Sequence, residues 1–196
     1  MEIFAHIVFS AYCLDEWLLA LAPFHNLVLL HILLDNLKGE KCMINVLFIC
    51  LGNICRSPMA EALFRHLVKK EKLTNKIAVD SAATSSWQIG FPPHAGTLEI
   101  LKKYKISSDG LIGRKLRKED FWRFDYIIGM DKNNVKNIYR ITGKPNHPKV
   151  IRLLDLTKYR KDIPDPFFTG DFDETYRLVS AGCRALLNKI RKEQNL

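Results

Sequence analysis

Cys50 and Arg56 stand with five residues between them in Cys50-Leu51-Gly52-Asn53-Ile54-Cys55-Arg56-Ser57-Pro58. An ionised cysteine is a good nucleophile, and arginine presents a planar fork of donors that matches phosphate oxygens. The residues between them suit a tight loop. Gly52 and Asn53 are the types that most readily accept positive φ, so successive backbone N–H groups can turn into one concavity and hold an oxyanion. Ser57 carries the short hydroxyl preferred at a helix N-cap, and Pro58 fits the first helical position. A helix is therefore expected from there, its positive end adding to the same spot. A thiol in such surroundings is favoured as the thiolate. Thiolate and cradle together make a phosphoryl-transfer site that works through a cysteinyl phosphate, with Leu51, Gly52, Asn53, Ile54, Cys55 and Ser57 forming the phosphate-binding loop. A cysteine and an arginine fall at this spacing by chance in many chains. The strand signal before them and the Gly-Asn and Ser-Pro pairs give the spacing its meaning.

That strand signal is Ile44–Ile49, an apolar run rich in β-branched residues. Further strands are expected at Ile77–Val79, Tyr126–Met130 and Lys149–Leu153. Helices are expected from Ser57 to about Lys72, His94 to about Tyr104, around Lys118–Phe121, from near Asp131, and from about Phe172 to Arg191. Alternation of this kind implies βαβ units: an α/β single domain of three layers, α/β/α, around a central four-stranded parallel sheet. Ligands of such sheets bind at the carboxyl ends of strands, which is where the Cys50 loop falls. A polar loop is expected from Asp80 to Pro93, and another over 155–171. The second contains Asp165 between Pro164 and Pro166, a carboxyl group on stiffened backbone that can lean over the cradle. On the residues alone, Asp165 is equally an ordinary Asp-Pro turn.

The chain has a formal net charge of +9. Residues 1–42 hold Lys38 and Lys41 against five acidic side chains, so the basic excess lies in residues 43–196. A field of that sign attracts phosphoesters and acidic phosphopeptides. No zinc-finger spacing or aromatic RNA-binding signature accompanies it, which argues against specific nucleic-acid binding. The five cysteines, Cys13, Cys42, Cys50, Cys55 and Cys183, show no framework spacing. Together with the lack of a convincing signal peptide, they point to a reducing, cytoplasmic compartment, with export by a route without a signal left open. No metal-ligand pattern is present in the sequence. Residues 1–42 include the apolar stretch Trp17–Leu34, interrupted by Pro23, His25, Asn26 and His31. It reads as a membrane-associated extension, an extra packed helix, or residues upstream of a start at Met43. Membrane association is expected only if this extension exists and inserts.

The loop CLGNICRSP resembles the signature of the low-molecular-weight protein tyrosine phosphatases, and the resemblance runs from about Met43 to the C-terminus. It implies a phosphatase domain over residues 43–196, of bacterial type, acting on phosphotyrosine-containing proteins without metal or cofactor and able to work as a monomer. By that resemblance Cys50 is the nucleophile, Arg56 the phosphate clamp and Asp165 the general acid and then base. Asn53 and Ser57 brace the loop, Ser81 supports them, and Cys55 can form a reversible disulfide with Cys50. Trp87, Phe167 and Phe168 are cleft walls, where Trp87 read by itself is equally a lid over the core. Many relatives carry tandem tyrosines at the positions of Phe167 and Phe168, so phosphorylation there is excluded in this chain. Many also place a histidine shortly before the arginine that matches Arg114. Leu111-Ile112-Gly113 stands there instead and leaves the support of Asn53 open.

Three other functions share parts of this pattern. Protein-arginine phosphatases carry a threonine where this chain has Ile54. Thiol-dependent arsenate reductases need two later cysteines, and only Cys183 lies in the later half. A non-catalytic phosphopeptide-binding module would be expected to lack Cys50, Arg56 or Asp165.

Overall fold

The computed structural model describes residues 43–196, and the three readings of residues 1–42 lie outside the described residues. The chain runs β1 (Ile44–Cys50), α1 (Arg56–Lys70), β2 (Ile77–Ala83), α2 (Ala95–Lys103), α3 (Asp120–Arg123), β3 (Tyr126–Gly129), α4 (Lys132–Thr142), β4 (Val150–Arg152), a 3-10 turn (Leu153–Leu156), α5 (Pro166–Thr169) and α6 (Phe172–Gln194). The strands form one parallel sheet in the order β2-β1-β3-β4.

The period-2 geometry of β1 divides the core in two. Val46, Phe48 and Cys50 join Met59, Leu63 and Phe64 of α1 and Leu178, Val179 and Leu186 of α6. Leu47 and Ile49 point the other way, onto Phe121 of α3, Phe124 and Ile138 of α4. Helices thus cover both faces of the sheet, giving the expected three layers. Because β1 is central and buried on both sides from Val46 onward, Val46–Cys50 are continuously apolar rather than alternating.

Several boundaries differ from the sequence expectation. β2 continues through Asp80 and Ser81 to Ala83, which pairs with Cys50. Polar residues fit here because each has a partner: Asp80 accepts from Arg114 Nε at 2.9 Å, and Ser81 takes part in a buried hydrogen-bond chain described below. β4 ends at Arg152, not Leu153. Leu153 and Leu154 are both fully buried in the same core cluster, which adjacent strand residues cannot achieve and a 3-10 turn can. The loop after β4 contains a short helix, α5, started by Asp165 and Pro166. In α2, Leu98 is only half-buried, and Thr97 takes the fully buried place expected of it. Among the described residues, no helix is long and apolar enough to cross a membrane.

α6 lies close against the 3-10 turn because residue 182 is glycine: a Cβ there would stand 2.4 Å from Leu153 Cγ. Gly182→Ala is therefore expected to destabilise the domain by about 1–3 kcal/mol through overpacking. Urea unfolding of the variant beside the parent chain checks this, and an unchanged midpoint would show that the two elements can separate freely.

Candidate active site

Three strand ends meet at one place. Cys50 ends β1, Asp131 follows β3, and Ile163–Asp165 follow β4 and its 3-10 turn. The loop after β1 curls around the Cys50 sulfur. Asn53 takes the left-handed conformation, with φ 57°, and its N–H points to Cys50 Sγ at 3.2 Å. Gly52, expected to share that conformation, does not need it. Among the described residues, the N–H groups of Gly52, Ile54 and Cys55 meet no acceptor. An array of unpaired N–H groups around a sulfur is suited to receive an oxyanion.

The helix begins earlier than the Ser-Pro pair suggests. Cys55 is the N-cap, and Arg56 is the first helical residue. Pro58 remains within the first turn, where its missing N–H has no intrahelical partner to lose; the first such bond runs from Met59 N–H to the Cys55 carbonyl. Ser57, freed from capping, lies 3.0 Å from Cys50 Sγ through its hydroxyl.

Asn53 is held without the histidine that many relatives carry. Its Nδ2 donates to Ser57 Oγ at 2.9 Å and to Ser81 Oγ at 2.7 Å, and its Oδ1 accepts the Arg114 backbone N–H at 2.9 Å. Every polar group of the amide is used. Arg114 is itself pinned, donating from Nη1 to the buried Asp120 at 2.9 Å and from Nε to Asp80. Gly113 lets this segment approach closely, since a Cβ there would stand 2.4 Å from the Gln88 carbonyl oxygen. The chain continues inward as Ser81 Oγ donates to Glu61 Oε2 at 2.5 Å, while Arg65 pairs with Glu61 Oε1. Glu61 is 4% exposed, and burial raises its pKa from 4.5 to about 7 against the lowering effects of Ser81 and Arg65.

Arg56 is 3% exposed and ties the strand ends together. Nη1 donates to Asp131 Oδ2 at 2.6 Å and to the Ile163 carbonyl at 3.2 Å, and Nη2 donates to Asp165 Oδ2 at 2.5 Å. Burial opposes the charged guanidinium but is outweighed by the Cys50 sulfur and the carboxylates of Asp165 and Asp131, so its pKa is raised. Its Nε is buried and meets no acceptor among the described residues. Burial, then the nearby Cys50 and Asp165, push the Cys55 thiol up to about 12. Cys183 is fully buried on α6 and belongs to the core.

The cleft over Cys50 is lined by the loop, by Asp165, Phe167 and Phe168 on one side, and by Ser85, Trp87 and Gln88 on the other. Trp87 is 80% exposed and Phe168 77%, so these rings are walls open to solvent and Trp87 is no lid over the core. Ser85 has a buried hydroxyl without a partner. Asp165 caps α5, accepting the Phe167 N–H at 3.3 Å. Among the described residues, no group of three or more His, Cys, Asp or Glu side chains is placed to hold a metal ion.

Four contributors were not visible as such in the sequence. Asp131 was readable only as a helix start, yet it also holds Arg56. Glu61 and Arg65 are an i, i+4 pair on α1 that no motif in the sequence singles out. His94 caps α2, with Nδ1 accepting the Gly96 N–H at 3.1 Å, while its backbone N–H donates to the Ile54 carbonyl at 2.8 Å. Its ring stacks on Phe172 at 5.1 Å and meets Phe167 edge-on at 6.1 Å, linking the Cys50 loop to the Asp165 loop.

A parallel α/β sheet whose central strand ends in this thiol, loop and guanidinium has the build of a cysteine-dependent phosphatase. The family model described as "Low molecular weight phosphotyrosine protein phosphatase" matches residues 45–196. The low molecular weight protein-tyrosine-phosphatase YfkJ of Bacillus subtilis is 49% identical over 156 residues, covering 79% of this chain and all of that protein. PtpA of Staphylococcus epidermidis, which carries the same description, is 42% identical, over 79% of this chain and 98% of its own. The crystal structure of YfkJ superposes with a TM-score of 0.77 at 48% identity, covering 79% of this chain and 99% of that one. That of the Drosophila arginine phosphatase gives 0.67 at 34%, covering 74% and 97%. The chain belongs to the low molecular weight protein tyrosine phosphatase family and is a phosphoric monoester hydrolase of that class.

The raised Glu61 pKa has a defined sign in stability. Between about pH 4.5 and 7 the unfolded carboxyl is ionised while the folded one keeps its proton, so stability falls as pH rises through that window, by up to about 3 kcal/mol. Glu61→Gln is expected to flatten this slope in denaturation measured at pH 5 and pH 8. An identical slope in variant and parent would show that Glu61 ionises normally.

Proposed function

We propose that residues 43–196 are a phosphatase domain that hydrolyses phosphotyrosine in proteins through a cysteinyl phosphate. The supporting observation is the pairing of the Cys50 sulfur with unpaired loop N–H groups and the acceptor-free Nε of a buried Arg56. A tetrahedral phosphoryl group seated on the loop satisfies these donors, and Leu51, Gly52, Asn53, Ile54, Cys55 and Ser57 surround it. Cys50 Sγ attacks phosphorus, a P–S bond forms, and the P–O bond to the tyrosine breaks. Asp165 gives its proton to the departing phenolate oxygen. It then takes a proton from the water that attacks the cysteinyl phosphate, releasing inorganic phosphate and free Cys50. Ser57 and the Asn53 N–H stabilise the sulfur as it leaves.

An incoming phosphate competes with Asp165 for Arg56 Nη2, so binding and delivery of the acid are coupled. The open aromatic walls, Trp87, Phe167 and Phe168, suit a substrate that reaches the sulfur through a flat ring. Ile54 on the loop favours phosphotyrosine over phosphoarginine, although the fold is shared with an arginine phosphatase. Every residue named comes from one chain, so a monomer suffices. A thiol nucleophile suits a reducing cytoplasm, where Cys55 can trap an oxidised Cys50 as a disulfide.

The test is phosphate release from matched phosphotyrosine and phosphoarginine peptides without added metal. Phosphotyrosine turnover is expected, abolished by Cys50→Ser and lowered about 10²–10⁴-fold by Asp165→Ala. Turnover confined to phosphoarginine would overturn the substrate reading. His94→Ala should slow phenyl phosphate more than p-nitrophenyl phosphate, whose leaving group needs little proton assistance. Equal slowing of both would show that His94 does not act through the Asp165 loop.

A further inference from the structure

Glu61 stands at the far end of a buried hydrogen-bond chain that reaches the Cys50 sulfur, and the partners along it fix which way each proton points. The Arg114 backbone N–H can only donate, and it lies 2.9 Å from Asn53 Oδ1. That contact turns the amide so that Nδ2, with its two protons, faces Ser57 Oγ at 2.9 Å and Ser81 Oγ at 2.7 Å. Each serine accepts one of them and has a single proton of its own to give. Ser57 gives its proton to the Cys50 sulfur, 3.0 Å away, and Ser81 gives its proton to Glu61 Oε2 at 2.5 Å.

Glu61 closes the chain because both of its oxygens accept: Oε1 takes the Arg65 guanidinium and Oε2 the Ser81 hydroxyl. The other charged groups that act on it are Asp80 and Arg114, with opposite signs, and the carboxyl is ionised above about pH 7. A group at Oε2 that donated instead would leave Ser81 facing two donors, with a proton of its own and no acceptor for it. In a buried site that arrangement is costly. Turning the Asn53 amide would relieve it by placing Oδ1 on the serines. The same turn would draw the Ser57 proton away from the sulfur and set Nδ2 against the Arg114 N–H. The Arg114 backbone and the Glu61 carboxylate therefore address the amide from its two ends and enforce one orientation.

We propose that Glu61 is a positioning residue for the second half of the reaction: as the terminal acceptor behind Ser81, it keeps the Ser57 hydroxyl donating to the Cys50 sulfur while the cysteinyl phosphate breaks down. The inference rests on the phosphatase reading above. The two halves of the reaction feel that donation differently. In the first, the hydrogen bond stabilises the thiolate before it attacks, so losing it does not slow attack by a thiolate already formed. In the second, water attacks phosphorus and gives its proton to Asp165, the P–S bond breaks, and its electron pair returns to sulfur. The hydrogen bond then stabilises the leaving group, and its loss slows breakdown of the intermediate more than its formation.

The experiment follows p-nitrophenol release from p-nitrophenyl phosphate by stopped flow, at a pH just above 7 where Glu61 is ionised. The enzymes are the parent chain, Glu61→Gln, Ser81→Ala and the double variant. Glu61→Gln should lower kcat about ten-fold, the size of one hydrogen bond to a charged group, without raising KM. It should also release about one p-nitrophenol per active site in a burst before the steady state, and that burst shows that the sites are folded. Ser81→Ala cuts the chain from the other side and should give the same burst and the same kcat, with the double variant no slower than either. A kcat equal to the parent's, a lowered kcat with raised KM and no burst, or losses that multiply in the double variant would each overturn the proposal. If Glu61→Gln fails to fold, the burst and kcat of Ser81→Ala decide it by the same criteria. A parent chain inactive on p-nitrophenyl phosphate would instead sink the phosphatase reading and this inference with it.

Discussion

The site depends on one asparagine held against its preferred backbone conformation. Asn53 adopts positive φ, which brings its N–H onto the Cys50 sulfur and turns the neighbouring N–H groups into the same hollow. A left-handed asparagine is tolerated, but it persists only where the surroundings over-determine it. Here they do so through the side chain. Ser57, Ser81 and the Arg114 backbone each take one of its hydrogen bonds; Ser57 lies on the adjoining helix, while Ser81 and Arg114 come from a strand and a loop distant in sequence. The missing histidine is thus replaced by a structural consequence: Arg114, clamped by Asp80 and Asp120, presents its backbone rather than a side chain.

Arg56 performs the same service for the reacting groups. A buried guanidinium is costly unless its donors are satisfied, and Asp131, Ile163 and Asp165 satisfy most of them. These partners lie at the ends of two other strands, so one cation sets the spacing of three loops. Among the described residues the buried Nε meets no acceptor.

The aromatic side chains link these polar parts. His94 touches the Cys50 loop through its backbone and the Asp165 loop through its ring, with Phe172 fixing the ring from α6. Gly96 makes room for that stack, because a Cβ there would stand 2.6 Å from the Phe172 ring. Phenylalanines at 167 and 168 keep the wall apolar and remove the hydroxyls that phosphorylation would need.

Much of the architecture was legible in the sequence because its signals are local. The apolar run of β1, the Gly-Asn turn, the amphipathic α6 and the Pro-Asp-Pro of the acid loop each express a preference of a few adjacent residues. Cys50 and Arg56 stood out because their motif combines special residue types at fixed spacing, whereas Asp165 stood out only through the family resemblance, since Asp-Pro by itself also marks a plain turn. The end of β2 was not, since Asp80 and Ser81 look like loop residues until Arg114 and Glu61 supply partners from far along the chain. Nor was the role of Ser57: its place before proline suggested a cap, but the sulfur and Asn53 compete for its hydroxyl and the helix starts earlier. The sequence by itself determined the sheet, its layers and the chemical types at the carboxyl end of β1. Only the tertiary structure decided which carboxylates hold Arg56 and how Asn53 is braced, because those outcomes depend on groups brought together by packing rather than by neighbouring positions in the chain.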